Sequence, residues 1–218
     1  MTGSVDRFLA GKAQTRRARL IFALDATASR QPTWDLACTL QAKMFAETVG
    51  LGALEVQLVY FRGLDGFDGE CKSSIWMAPA QLTAMMQKIQ CRAGHTQIGK
   101  VLDHVRRETQ QQPVGALVFV GDAMEENVDA LVARAGGMGV PAFMFQENNP
   151  NVFNFHLVER AYKAIAYASH GAYAPFDANA AAQLHDLLAA VLAFVVGGVT
   201  ALAARKDETS IKLLSQLK

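Results

Sequence analysis

Arg19-Leu20-Ile21-Phe22-Ala23-Leu24-Asp25-Ala26-Thr27-Ala28-Ser29 is an apolar run that ends in a carboxylate, with hydroxyls at the two alternate positions that follow. A strand covered by helices on both faces is apolar throughout rather than alternating, so this run reads as a buried parallel strand. Asp25, Thr27 and Ser29 then occupy the turn beyond its carboxyl end, the edge at which open α/β sheets bind ligands. Three small oxygen donors there suit a hard cation such as Mg²⁺, which prefers oxygen ligands and keeps some of its waters.

Downstream, Pro32-Thr33 opens a helix with Thr33 as N-cap, and Trp34, Ala37, Cys38, Leu40, Met44, Phe45 and Val49 recur at helical spacing until Gly50. Leu54 to Phe61 is a second strand, and Glu70 to Trp76 a weaker, more polar one, as expected of a sheet edge. Pro79 starts a helix carrying Leu82, Met85, Met86 and Ile89. After the loop Cys91–Thr96, a helix from Gln97 turns Ile98, Val101, Leu102 and Val105 inward. Val114 to Val120 is again wholly apolar and closes on Gly121-Asp122. Glu125 and Glu126 are expected to open the next helix, at the positive end of its dipole, and Gly136-Gly137 to end it. A strand at Val140–Phe145, the polar loop Gln146–Asn151, a helix near Val158–Ala168, a short strand within Gly171–Phe176 and a long helix Asn179–Val196 follow.

Strands and helices alternate, with one direct passage from the second strand to the third. The expected fold is therefore α/β: a Rossmann-like, open, mostly parallel six-stranded sheet with helices on both faces, the third strand antiparallel at the edge.

Composition narrows the function classes. With 218 residues, half of them hydrophobic, the chain can bury a sizeable core, and a net charge of +1 implies neither nucleic acid nor an anionic membrane surface as partner. The cluster Arg16-Arg17-Arg19 reads as a solvated strand entrance. The three cysteines, Cys38, Cys71 and Cys91, match no zinc spacing and read as reduced thiols of a cytoplasmic protein. No signal-peptide pattern opens the sequence. The charge-free run Leu187–Ala204 approaches the length of a membrane span, but Gly197-Gly198 interrupts it. It is read as a soluble core helix and a short second helix, not a membrane span.

Two more oxygen donors fall on the same side of the sheet. Asp122 follows the Val114–Val120 strand, and Thr96 precedes the helix from Gln97. If the first strand and the Val114 strand are neighbours at a topological switch point, Asp25, Thr27, Ser29, Thr96 and Asp122 approach one crevice. Each alone reads equally well as a turn or helix cap.

Asp25-Ala26-Thr27-Ala28-Ser29, then Thr96, then Gly121-Asp122 resembles the metal-ion-dependent adhesion site of von Willebrand factor A (VWA) domains: D-x-S-x-S, a distant Thr and a distant Asp. Thr27 stands where that family usually has Ser, and a hydroxyl is retained. Val140–Phe145, Ile165-Ala166 leading to Gly171-Ala172-Tyr173, and Phe176-Asp177 resemble bacterial members. The resemblance spans about residues 17–198, leaving 1–16 as an N-terminal extension and 199–218 as a C-terminal helical segment. It implies a non-enzymatic protein-interaction module. Thr27, Ser29 and Thr96 would ligate Mg²⁺ (or Mn²⁺ or Ca²⁺), Asp25 and Asp122 would hold it directly or through waters, and a partner's Asp or Glu would fill the open position. Bacterial domains of this type often serve AAA+ ATPases or assembly systems.

Two other readings compete. A haloacid-dehalogenase-like phosphohydrolase also places an Asp after the first strand, but it needs an acid two residues later, and Thr27 cannot do that work near neutral pH. Lys100, its phosphate-binding candidate, is expected on an exposed helix face. The third reading is a scaffold with a silent metal site, acting through the Gln146–Asn151 loop or through an amphipathic arm bearing Leu202, Ile211, Leu213, Leu214 and Leu217. His95 is read as a surface loop residue, and Met85, Met86, Met138 and Met144 as core filler.

Overall fold

The apolar run forms β1 (Ala18–Asp25), buried from Arg19 onward. In the computed structural model, which describes residues 18–30, 54–64, 69–148, 155–177 and 181–217, it lies inside a six-stranded sheet. Parallel neighbours β2 (Leu54–Arg62) and β4 (Ala116–Gly121) flank it. β3 (Glu70–Ser73) runs antiparallel to β2 at one edge, and β5 (Ala142–Asn148) and β6 (Ala172–Asp177) continue in parallel towards the other. The order β3-β2-β1-β4-β5-β6 is the expected mostly parallel sheet, antiparallel third strand included.

Successive side chains of a strand point to opposite faces. Leu20, Phe22 and Leu24 therefore enter one core layer, and Ile21 and Ala23 the other. The first layer is closed by α1 (Leu82–Met86), α5 (Ala181–Arg205) and α6 (Glu208–Leu214), through Leu82, Met86, Leu188, Val191 and Leu213. The second is closed by α2 (Ile98–Gln111), α3 (Val128–Gly136) and α4 (Phe155–Ala168), through Ile98, Val101, Leu131, Tyr162 and Ile165. Helices on both faces leave β1, β4 and β5 no solvent side, and this is why they lack alternation. Each fully buried Leu or Phe here contributes about 1.5–3 kcal/mol.

The structure departs from expectation where a single side chain redirects the backbone. β3 stops at Ser73, short of Trp76, because the Ser74 hydroxyl oxygen accepts the Leu58 amide at 3.0 Å and interrupts the ladder. Pairing resumes once, between Met77 and Val56. The Pro79 helix is a single 3-10 turn leading into the short α1. Arg19 is not solvated: it is 5% exposed, lies 3.6 Å over the Trp76 ring and donates to the Gln112 carbonyl at 3.0 Å. Gln146 and Glu147 belong to buried β5 rather than to a loop.

α5 includes a stretch, Ala182–Arg205, long and apolar enough to cross a membrane. It is not one helix. Gly197 (φ −131°) and Gly198 (φ 65°, ψ −162°) leave helical geometry, the latter in a region glycine adopts at little cost. Beyond the break the chain is no loose arm: Leu202 and Leu213 are fully buried, whereas Ile211 is exposed. Gln216 accepts the Tyr173 amide at 2.9 Å and donates to the Tyr173 carbonyl at 3.0 Å, meeting β6 along its outer edge as another strand would. The helix expected from Pro32, with Trp34 and Cys38, lies outside the described residues, as do residues 1–16 and residues 149–151 of the expected polar loop.

Candidate metal centre

β1 lies between β2 and β4, so its carboxyl end is the switch point expected from the sequence. The register pairs Leu24 with Val120, and one step on Asp25 stands beside Gly121 and Asp122. Gly121 is closely enclosed. A Cβ there would lie 2.7 Å from Tyr162 Oη and 3.3 Å from Asp25 Cβ. Tyr162 Oη donates to the Ala123 carbonyl at 2.9 Å and steadies the turn that carries Asp122.

After β1 the chain makes a tight turn. The Thr27 amide donates to Asp25 Oδ1 at 2.8 Å, an Asx turn. A 3-10 turn over Ala28–Arg30 follows, with the Arg30 amide donating to the Thr27 carbonyl at 3.1 Å. Thr27 Oγ1 lies 3.1 Å from Ser29 Oγ, which donates to Asp122 Oδ1 at 3.2 Å. Four of the five oxygen-bearing residues are thereby linked across the two strand ends. Asp25 and Asp122 are fully buried, Thr27 is nearly so, and Ser29 is exposed.

The electrostatics favour a cation. Burial, and then the neighbouring Asp122 charge, push the Asp25 carboxyl up to about 7, against hydrogen bonds from Thr27. Asp25 Oδ2 is buried with no hydrogen-bond partner among the described residues. Arg30, also fully buried, supplies positive charge to both aspartates, and is itself ion-paired with Glu147 of β5. Among the described residues no group of three or more His, Cys, Asp or Glu side chains gathers. A cation here would therefore depend on hydroxyl oxygens as well as on the two aspartates, and that donor set suits a hard divalent ion.

Thr96, the fifth predicted donor, is held not by these four residues but by Glu125, three residues beyond Asp122. Its Oγ1–H and its amide both donate to Glu125 Oε2, at 2.8 and 2.9 Å, and the Glu125 amide donates back to Thr96 Oγ1 at 3.2 Å. Glu126 accepts from the Ile98 amide and from the Gly99 amide, the latter at 3.0 Å. These carboxylates do not open α3, whose N-cap is Asn127, accepting from Ala130 at 2.9 Å. They serve the start of α2 instead. The turn after β4 passes over that helix N-terminus, where free amides and the dipole favour anions. The dipole argument from sequence selects the right chemistry and the wrong helix, since local spacing does not say which N-terminus is near. Lys100 is exposed and donates to Gln97 Oε1 at 3.1 Å, and His95 is an exposed loop residue, both as expected.

No protein-family model matches the sequence, and no curated protein matches it. Solved structures match its fold. An aerotolerance-related membrane protein from Bacteroides fragilis superposes with a TM-score of 0.56 at 20% identity, over 78% of this chain and 96% of the other. The vWF domain of the type V pili tip protein Mfa5 from Porphyromonas gingivalis does so with a TM-score of 0.60 at 10% identity, over 83% and 96%. Proximal thread matrix protein 1 of the mussel byssus, solved with a zinc-occupied MIDAS motif, gives 0.60 at 14% identity, over 78% of this chain and 44% of its own. At such identities the likeness establishes the fold alone: an α/β domain of the von Willebrand factor A type.

Proposed function

We propose that this chain is a non-enzymatic interaction module that binds a partner's carboxylate through a divalent cation at the carboxyl ends of β1 and β4. The observation that carries the proposal is the buried Asp25–Asp122 pair, with Asp25 Oδ2 unpartnered among the described residues and Ser29 at the solvent side. Asp25 and Asp122 would hold the ion directly or through waters, with Thr27, Ser29 and Thr96 offering neutral hydroxyls. Hydroxyl ligands leave the ion's charge incompletely neutralised, so it stays attractive to an incoming Asp or Glu. Mg²⁺ is the proposed ion, with Mn²⁺ or Ca²⁺ able to replace it. The proposed setting is cytoplasmic, with a protein partner of the AAA+ ATPase or assembly-component kind.

The fold match to a pili tip protein's vWF domain and to a byssus matrix protein supports an interaction role over catalysis. Calorimetry with Mg²⁺ and Mn²⁺ on the wild type and on Asp25→Ala tests the metal. Heat of binding is expected from the first and none from the second. Partner capture is expected to be lost in EDTA. Capture that survives EDTA, with no ion bound by the wild type, would replace this reading by a scaffold with a silent site.

A further inference from the structure

We propose that Glu125 is a positioning residue for Thr96: it fixes and polarises the threonine hydroxyl so that one lone pair is left for the cation. The proposal rests on the metal-binding reading above and adds to it a residue outside the five oxygen donors.

A hydroxyl has one proton and two lone pairs. In Thr96 the proton goes to Glu125 Oε2 at 2.8 Å, and one lone pair receives the Glu125 amide at 3.2 Å. One lone pair remains. The Thr96 amide, donating to the same carboxylate oxygen at 2.9 Å, closes a reciprocal clasp that holds the backbone and the side chain of Thr96 together. A hydroxyl that donates to a carboxylate carries more electron density on its oxygen, which makes it a better ligand. The clasp is also anchored. Glu126, the next residue, holds the Ile98 and Gly99 amides, so the turn bearing Asp122 and the loop bearing Thr96 are tied at two successive positions. The turn after β4 and the loop before α2 are thus locked into one relative position before any ion arrives.

The test is Mn²⁺ titration of the full chain, with free Mn²⁺ read by electron paramagnetic resonance, in wild type, Glu125→Ala, Glu125→Gln, Thr96→Ala and the Glu125→Ala/Thr96→Ala double variant. Melting in EDTA reports the fold separately. Glu125→Ala is expected to weaken Mn²⁺ binding by about 10-fold or more, the usual scale for a group that orients a metal ligand. Glu125→Gln keeps an acceptor and is expected to lose less; it carries the test if Glu125→Ala fails to fold. In the Thr96→Ala background, Glu125→Ala is expected to add little, since its effect runs through the threonine. Wild-type binding with unchanged affinity in Glu125→Ala, or full additivity in the cycle, overturns this proposal and leaves the metal site standing. Absence of Mn²⁺ binding by the wild type overturns the metal reading and this proposal with it.

Discussion

Arg30 and Glu147 form an ion pair whose side chains are 0% and 1% exposed, joining the turn that carries Ser29 to the end of β5. Breaking a buried pair by removing one partner leaves an uncompensated charge and costs about 3–5 kcal/mol. The two partners are not equivalent, because Arg30 also offsets Asp25 and Asp122. Arg30→Met is therefore expected to destabilise more than Glu147→Leu, and the double replacement less than Arg30→Met alone, since no Glu147 charge is then left unpaired. Urea unfolding at pH 7 checks the order, and a Glu147 variant weaker than the Arg30 one would refute it.

The Asp25 carboxyl makes stability depend on pH in an unusual direction. Its folded value, about 7, lies above the ordinary aspartate value of 3.8, so between these values the folded state binds more protons than the unfolded one. In EDTA, stability is expected to fall as pH rises from about 4 to about 7 and to level off above. Asp25→Asn should flatten that decline. Added Mg²⁺, which binds the ionised form, should stabilise more at pH 8 than at pH 5.5. Melting temperatures with and without the ion test both statements, and a flat wild-type profile in EDTA would contradict the first.

Gly121 is hemmed in by Tyr162 and by Asp25 itself. Gly121→Ala is expected to cost about 1–3 kcal/mol as an overpacked core position. It should also weaken Mn²⁺ binding, because the nearest group displaced, Tyr162 Oη, steadies the turn that carries Asp122, and Asp25 Cβ lies 3.3 Å from the added Cβ. A variant with wild-type melting and wild-type affinity would show that the end of β4 yields freely.

Gln216 spans both backbone groups of Tyr173, so Gln216→Ala removes two hydrogen bonds at the β6 edge. A loss of about 1–2 kcal/mol is expected. Truncation after residue 198 also removes buried Leu202 and Leu213, and the uncovered edge should promote self-association. Amide exchange at Tyr173 and sedimentation of the truncated chain check this, and a stable truncated monomer would count against it.

Most of the sheet is legible in the sequence because β1, β4 and β5 are apolar from end to end. An unbroken apolar run bounded by turn residues has few other readings in a chain that alternates strand and helix. The meeting of Asp25 with Asp122 is legible for the same reason: once the two strands are neighbours, the residues that follow them must adjoin. What is not legible depends on contacts between distant segments. Glu125 and Glu126 carry the signal of a helix start, but the helix they serve begins some 28 residues earlier in the chain. Arg19 sits in a basic cluster, yet Trp76 and the end of α2 enclose it. Ser74 looks like any strand residue until its hydroxyl takes the Leu58 amide. None of these leaves a local period, because each is one side chain meeting a backbone group or ring far away in sequence.

The break at Gly197 and Gly198 has a consequence for quality control. An 18-residue stretch within Ala182–Arg205 has a mean hydropathy of 2.5, and only the finished fold divides the segment into two helices and buries a third of that stretch, 33%. In an unfolded chain the same residues form one contiguous greasy stretch that chaperones and bilayers both recognise. Loss of stability at a distant position, such as the Arg30–Glu147 pair, would then appear in a cell as a shift of protein towards the membrane pool as much as degradation. Fractionation of destabilised variants into membrane and soluble pools would reveal that partition.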